Sequence, residues 1–167
     1  MKRFCFLSLL IFTLSCNDIG TSIENKSSVY DSIKIGHLYQ GGIIYFIDSF
    51  QKIGLIAADK DFKELGWPEA LDACQHFRGG QYSDWHLPNI RELNILKKMK
   101  DTVGGFVSEG YWSSSYDSAI GYGNDTVYLP YYQYFRSIKD FDHYVWRGTN
   151  NEKEFGVRPV RSFSFNN

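Results

Sequence analysis

Only one of the three cysteines in this 167-residue chain, Cys74, lies beyond residue 16. If the N-terminal stretch is removed, no internal disulfide and no zinc-type Cys pair can form. The four histidines, His37, His76, His86 and His143, show no H-x-x-x-H spacing, so the metal expectation from them is none. Ser113, Ser114 and Ser115 are not set in a G-x-S-x-G elbow, and read as strand residues rather than nucleophiles. Gly41-Gly42, Gly79-Gly80 and Gly104-Gly105 are pairs, not the G-x-G-x-x-G of a dinucleotide cradle. Charge is nearly balanced, with 18 basic and 19 acidic side chains, which argues against a nucleic-acid partner. Beyond the first residues no apolar run approaches the roughly 20 residues needed to cross a bilayer.

What is present begins at the N-terminus. Lys2 and Arg3 precede an apolar stretch from Phe4 to Leu14, which ends in Thr13-Leu14-Ser15-Cys16. The stretch is too short to span a membrane but fits the h-region of a secretory signal. A small residue before Cys at this point resembles a bacterial lipobox, although Thr13 stands where Leu is commoner. Residues 1–15 are therefore expected to be a lipoprotein signal peptide, with Cys16 lipidated. Cleavage near Ser15 without a lipid is the other outcome. Residues 16–34 read as the lipidated Cys and a polar tether. Loss of Lys2 and Arg3 leaves 16 basic side chains against 19 acidic, a charge near −3. The expected location is the bacterial envelope, lipid-anchored and extracytoplasmic, at the outer membrane or cell surface.

The rest reads as one domain over residues 35–165. Tyr39 to Asp48 and Lys52 to Ala58 are β-branched and aromatic, and predict a hairpin. Gly41 and Gly42 imply a bulge or a close backbone approach. Trp67, Ala70, Leu71, Cys74 and Phe77 share one face of a helix over 67–77, with Gly79 or Gly80 as its left-handed stop. On that face Cys74 reads as a small buried hydrophobe. A second helix follows Pro88, with Asn89 and Glu92 at capping-box spacing and Ile90, Leu93, Leu96 and Met99 as its stripe. Lys97, Lys98 and Lys100 read as its wet face. Further strands are expected at Tyr111 to Ser115, at Asp125 to Leu129 with Pro130 as its end, and at Phe155 to Phe163.

Six phrases in order carry a resemblance: GGIIYFID, GLIAA, W-x-x-A-x-x-x-C, GG-x-x-DW-x-LP-x-x-x-EL, YWSSS and VRPVRSF. The chain resembles the Lcl C-terminal domain family, named for the C-terminal domain of collagen-like bacterial adhesins. The resemblance covers about Ile35 to Phe163. It implies an α+β, C-type-lectin-like fold: two helices packed on small antiparallel sheets, with the N- and C-terminal strands adjacent. Where the family commonly has Arg within DWRLP, this chain has His86. The stretch from Tyr116 to Glu154 matches no motif and falls where the fold places variable loops. The resemblance also implies attachment to glycosaminoglycans, which a charge near −3 opposes unless basic residues such as Lys97, Lys98, Lys100, Arg136 and Arg147 converge.

That unmatched stretch is crowded with aromatics, including Tyr128. Exposed rings that stack on sugars, beside polar groups that bond hydroxyls, make the pattern of a carbohydrate site. The candidate ligand residues are Tyr116, Asp117, Asn124, Asp125, Tyr131, Tyr132, Tyr134 and Trp146; rings filling the core is the competing reading. Asn124 and Asp125 faintly resemble the Trp-Asn-Asp motif of calcium-holding lectins, so calcium is the one cofactor considered. The expectation is a non-enzymatic binding module for a glycan or an envelope or host surface protein. A structural or assembly lipoprotein is the alternative, and no constellation points to an enzyme.

Overall fold

Alternating and helical apolar periods build an α+β architecture in this computed structural model. It describes residues 33–120, 126–135, 144–145 and 153–165. In chain order come β1 (Leu38–Tyr39), β2 (Gly42–Asp48), β3 (Ile53–Ala57) and β4 (Phe62–Leu65). The main helices are α1 (Trp67–His76) and α2 (Ile90–Lys98), followed by the short α3 (Lys100–Val103). Then come β5 (Gly110–Ile120), β6 (Thr126–Tyr134), β7 (Tyr144–Val145), β8 (Phe155–Val157) and β9 (Val160–Ser164). One sheet has the order β1-β2-β3-β9, so the closing strand joins the sheet built by the opening ones. The other has the order β4-β8-β5-β6-β7. The sheets are not purely antiparallel, because β5 and β8 pair in parallel at Tyr111 and Gly156.

Three apolar clusters place the helices. Trp67, Ala70 and Cys74 of α1 pack with Trp112, Tyr132, Phe155 and Val157 on one face of the second sheet. Leu93 and Leu96 of α2 pack with Tyr45, Ala57, Tyr111, Phe135 and Val160, joining both sheets. The other face of the first sheet, Ile44, Ile56 and Phe163, is covered by Trp85 with Phe77 and Tyr82 of an irregular segment. Burying each large side chain of this kind contributes about 1.5–3 kcal/mol.

The helix ends follow their sequences. Asn89 accepts from the Arg91 and Glu92 N–H groups, and Glu92 returns a bond to the Asn89 N–H, completing the capping box. The first helix stops at His76 with Phe77 already extended, not at a left-handed glycine. Gly80 is left-handed (φ +60°), but it serves a 3-10 turn over Gly79–Gln81. Gly41 has φ +88°, and a Cβ there would lie 2.6 Å from the Gly80 nitrogen. The close approach is therefore between the β1–β2 turn and this 3-10 turn.

Two strand expectations are corrected, and one strand was not expected. The closing segment Phe155 to Phe163 is two strands, broken at Arg158-Pro159, and each half enters a different sheet. Proline has no N–H for a ladder, so the break falls there. β6 does not end at Pro130 but runs through it to Tyr134. Pro130 pairs with Tyr116 at the edge of an irregularity in β5 between Trp112 and Tyr116, where a missing donor is tolerated. Finally, β4 has a sequence, FKEL, without strong strand preference. It is held by β8 and by the Trp112 Nε1–H, which donates to the Leu65 carbonyl at 2.7 Å.

Candidate functional site

The β5–β6 hairpin carries much of the aromatic stretch, and its pleat sorts the side chains. Tyr116 pairs with Pro130 and Ser118 with Tyr128, so Tyr116 and Tyr128 share a face. Their rings meet edge to face, with centroids 5.0 Å apart and planes at 90°. Both rest on Trp67, with centroids at 5.6 Å and 6.4 Å. Trp67 occupies the first turn of α1, and its Nε1–H donates to the Ser113 carbonyl at 2.7 Å. That bond fixes the indole beneath the hairpin. Trp67 is 6% exposed, whereas Tyr116 and Tyr128 are 48% and 43% exposed. The result is a fixed, outward-facing aromatic pair.

Asp117 pairs with Leu129, and Tyr131 lies two residues beyond Leu129, so Asp117 and Tyr131 occupy the opposite face. Tyr131 donates to Asp117 Oδ1 at 2.7 Å, and that carboxylate holds its hydroxyl pKa above the usual phenol value. Tyr132 is a correction: it belongs to the core, 9% exposed, stacked on Phe155 at 4.4 Å and edge-on to Trp112. Tyr134 lies in β6, but its side chain is outside the description, as are Asn124, Asp125, Trp146 and Cys16. The candidate residues therefore do not form one site. Tyr116 stands on one face with Tyr128, Asp117 and Tyr131 stand on the other, and Tyr132 is inside.

A second concave place was missed in the sequence. Beyond the antiparallel bridge between His86 and Val160, the segment Tyr82–Asp84 leaves the edge of β9. The gap is a cleft of about 500 Å³ walled by Tyr82 and Asp84 on one side and Ser162 and Ser164 on the other. Arg161 is fixed there: its Nε and Nη2 donate to Asp84 at 2.7 and 3.0 Å, and Nη1 donates to Gln40 at 2.8 Å. Its guanidinium lies 3.9 Å from the centre of the Tyr82 ring. The bond from Arg161 lowers the Asp84 pKa. In the sequence, Arg161 looks like an outward residue of an alternating strand, which is why it gave no signal.

Arg158 is buried more deeply still. Its Nε donates to Asp61 Oδ1 at 2.5 Å, and Nη1 donates to the Ala58 and Gly104 carbonyls. Tyr111 closes the network on Asp61, and burial, followed by the bond to Asp61, drives the phenol pKa upward. This network ties β4, β5 and β8 together and lies away from solvent. Cys74 is wholly buried, and burial pushes its thiol pKa up to about 12, so it is not a nucleophile. Lys97 and Lys100 lean on β6 and its end, donating to Gln133 and to the Phe135 carbonyl. Arg136 and Arg147 lie outside the described residues.

Among the described residues no three His, Cys, Asp or Glu side chains gather to hold a metal ion. None of the helices described is long and apolar enough to cross a membrane. Comparison with protein-family models and with curated proteins returns no match for the chain.

Proposed function

We propose that this chain is a lipid-anchored, extracytoplasmic binding module of the bacterial envelope that recognises a glycan without chemical turnover. The anchor is Cys16, following the leader of residues 1–15. The fold is read as C-type-lectin-like, on the order of the six sequence phrases and on a closing strand shared with the opening sheet.

The observation that supports glycan recognition is the exposed Tyr116–Tyr128 pair seated on buried Trp67. Perpendicular rings present an apolar corner on which the C–H face of a pyranose can stack, and a rigid base lowers the ordering cost of binding. Ser118, exposed on the same face, supplies a hydroxyl. Asn124 and Asp125 stand in the connection between the two strands and are the calcium candidates.

A glycan array probed with Thr21 to Asn167, with calcium and with chelator, tests this reading. Binding to a defined set of glycans is the expected result. Loss with chelator assigns calcium to the site, and retention removes Asn124 and Asp125 as its ligands. Absence of binding by folded protein overturns the glycan reading in favour of an envelope protein partner.

A further inference from the structure

His86 stands where three parts of the fold meet. Its backbone forms the bridge to β9, with His86 N–H to Val160 O at 2.8 Å and Val160 N–H to His86 O at 2.9 Å. Its side chain reaches α2, with Nε2 3.1 and 3.2 Å from the two Glu92 oxygens. Glu92 is itself fixed, since it accepts the Asn89 N–H at 2.9 Å in the capping box. On the other side of the ring, Nδ1 lies 3.4 Å from the Asp84 carbonyl oxygen. A carboxylate and a carbonyl only accept hydrogen bonds. A neutral imidazole carries one N–H and can satisfy one of them, whereas an imidazolium satisfies both.

We propose that His86 is a proton-operated clamp: protonated, it bonds both Glu92 at the start of α2 and the Asp84 carbonyl of its own segment, and deprotonated, it gives up one of these two ties. The charges around it are few. Glu92 faces it from α2 and Asp84 from its own segment. Arg161 of β9 is engaged by Asp84. Tyr45 of β2, buried in the field of Glu92, is held neutral by desolvation, and its hydroxyl has no hydrogen-bond partner among the described residues. Glu92 is thus the charge that decides. Its hydrogen bond raises the His86 pKa above the ordinary value, against an opposing effect of burial. The His86 side chain is 43% exposed, so protons reach it from solvent.

The clamp acts on a wall of the β9 cleft, because Tyr82 and Asp84 belong to the segment it holds. Its stabilisation is fully present below the unfolded histidine value of about 6.5 and is lost as pH rises through the higher folded value.

The test follows the His86 imidazole by NMR in the full-length chain and records melting temperatures from acid to mildly alkaline pH. The His86 signal is assigned by its absence in His86→Arg. We expect a His86 midpoint above about 6.5 and a wild-type melting temperature that falls across it. His86→Arg keeps a charge opposite Glu92 and should lose the pH step while staying folded. Glu92→Gln should move the His86 midpoint downward. A midpoint at or below the ordinary value, or a step of equal size in His86→Arg, overturns the proposal.

Discussion

Arg158 and Arg161 sit three residues apart in one closing segment and have opposite fates. Arg158 and its partner Asp61 have side chains 0% and 3% exposed, whereas Asp84, which holds Arg161, is 54% exposed. Removing one member of a buried pair strands the other charge and costs about 3–5 kcal/mol. Arg158→Met is therefore expected to lower stability in urea by that amount, and Arg158→Met with Asp61→Leu to recover only part of it, because the Ala58 and Gly104 carbonyls and the Tyr111 hydroxyl lose their partners. Arg161→Met should cost less, because water can solvate the Asp84 it leaves behind. At Cys74 the prediction is kinetic. The thiol in Thr21 to Asn167 should resist a disulfide reagent in the folded state and react promptly in denaturant, as its burial and raised pKa require. The apolar role of Cys74 was legible from its place on a helical stripe. The buried arginines were not, because strand alternation gives a face but not what lies beyond it.

At the scale of elements, both helices were readable from period, and the second also from its capping box, whereas the stop of the first was not. Asn89→Ala should cost about 1 kcal/mol, measured by urea unfolding, because two N–H groups of α2 lose their acceptor. Gly41→Ala should be more damaging, since it meets both a positive φ and the backbone of Gly80. The strands were less legible where tertiary context overrides local preference. FKEL becomes β4 because β8 and Trp112 supply its partners. Pro130 is carried inside β6 because β5 is irregular opposite it. The break at Arg158-Pro159 lets one sequence phrase serve two sheets, which no periodicity within the phrase could reveal.

At the scale of the molecule, that break makes the closing segment a covalent link between the two sheets, beside the β3–β4 connection, with α2 packed at the cluster that joins them. The aromatic-rich stretch was legible as a region but not as a site. Its pleat sends Asp117 and Tyr131 to one face and Tyr116, Tyr128 and Tyr132 to the other, where Tyr132 is buried in the core and the Tyr116–Tyr128 pair is not. Glycan binding is proposed for the Tyr116–Tyr128 face. The most direct measurement compares wild type with Tyr116→Ala/Tyr128→Ala on one glycan array, with urea unfolding run in parallel. Losing the edge-to-face contacts should cost stability only about 1 kcal/mol per ring. The expected result is glycan binding by wild type and its loss in the folded double variant. Equal binding by both proteins would contradict it and move the site elsewhere on the domain.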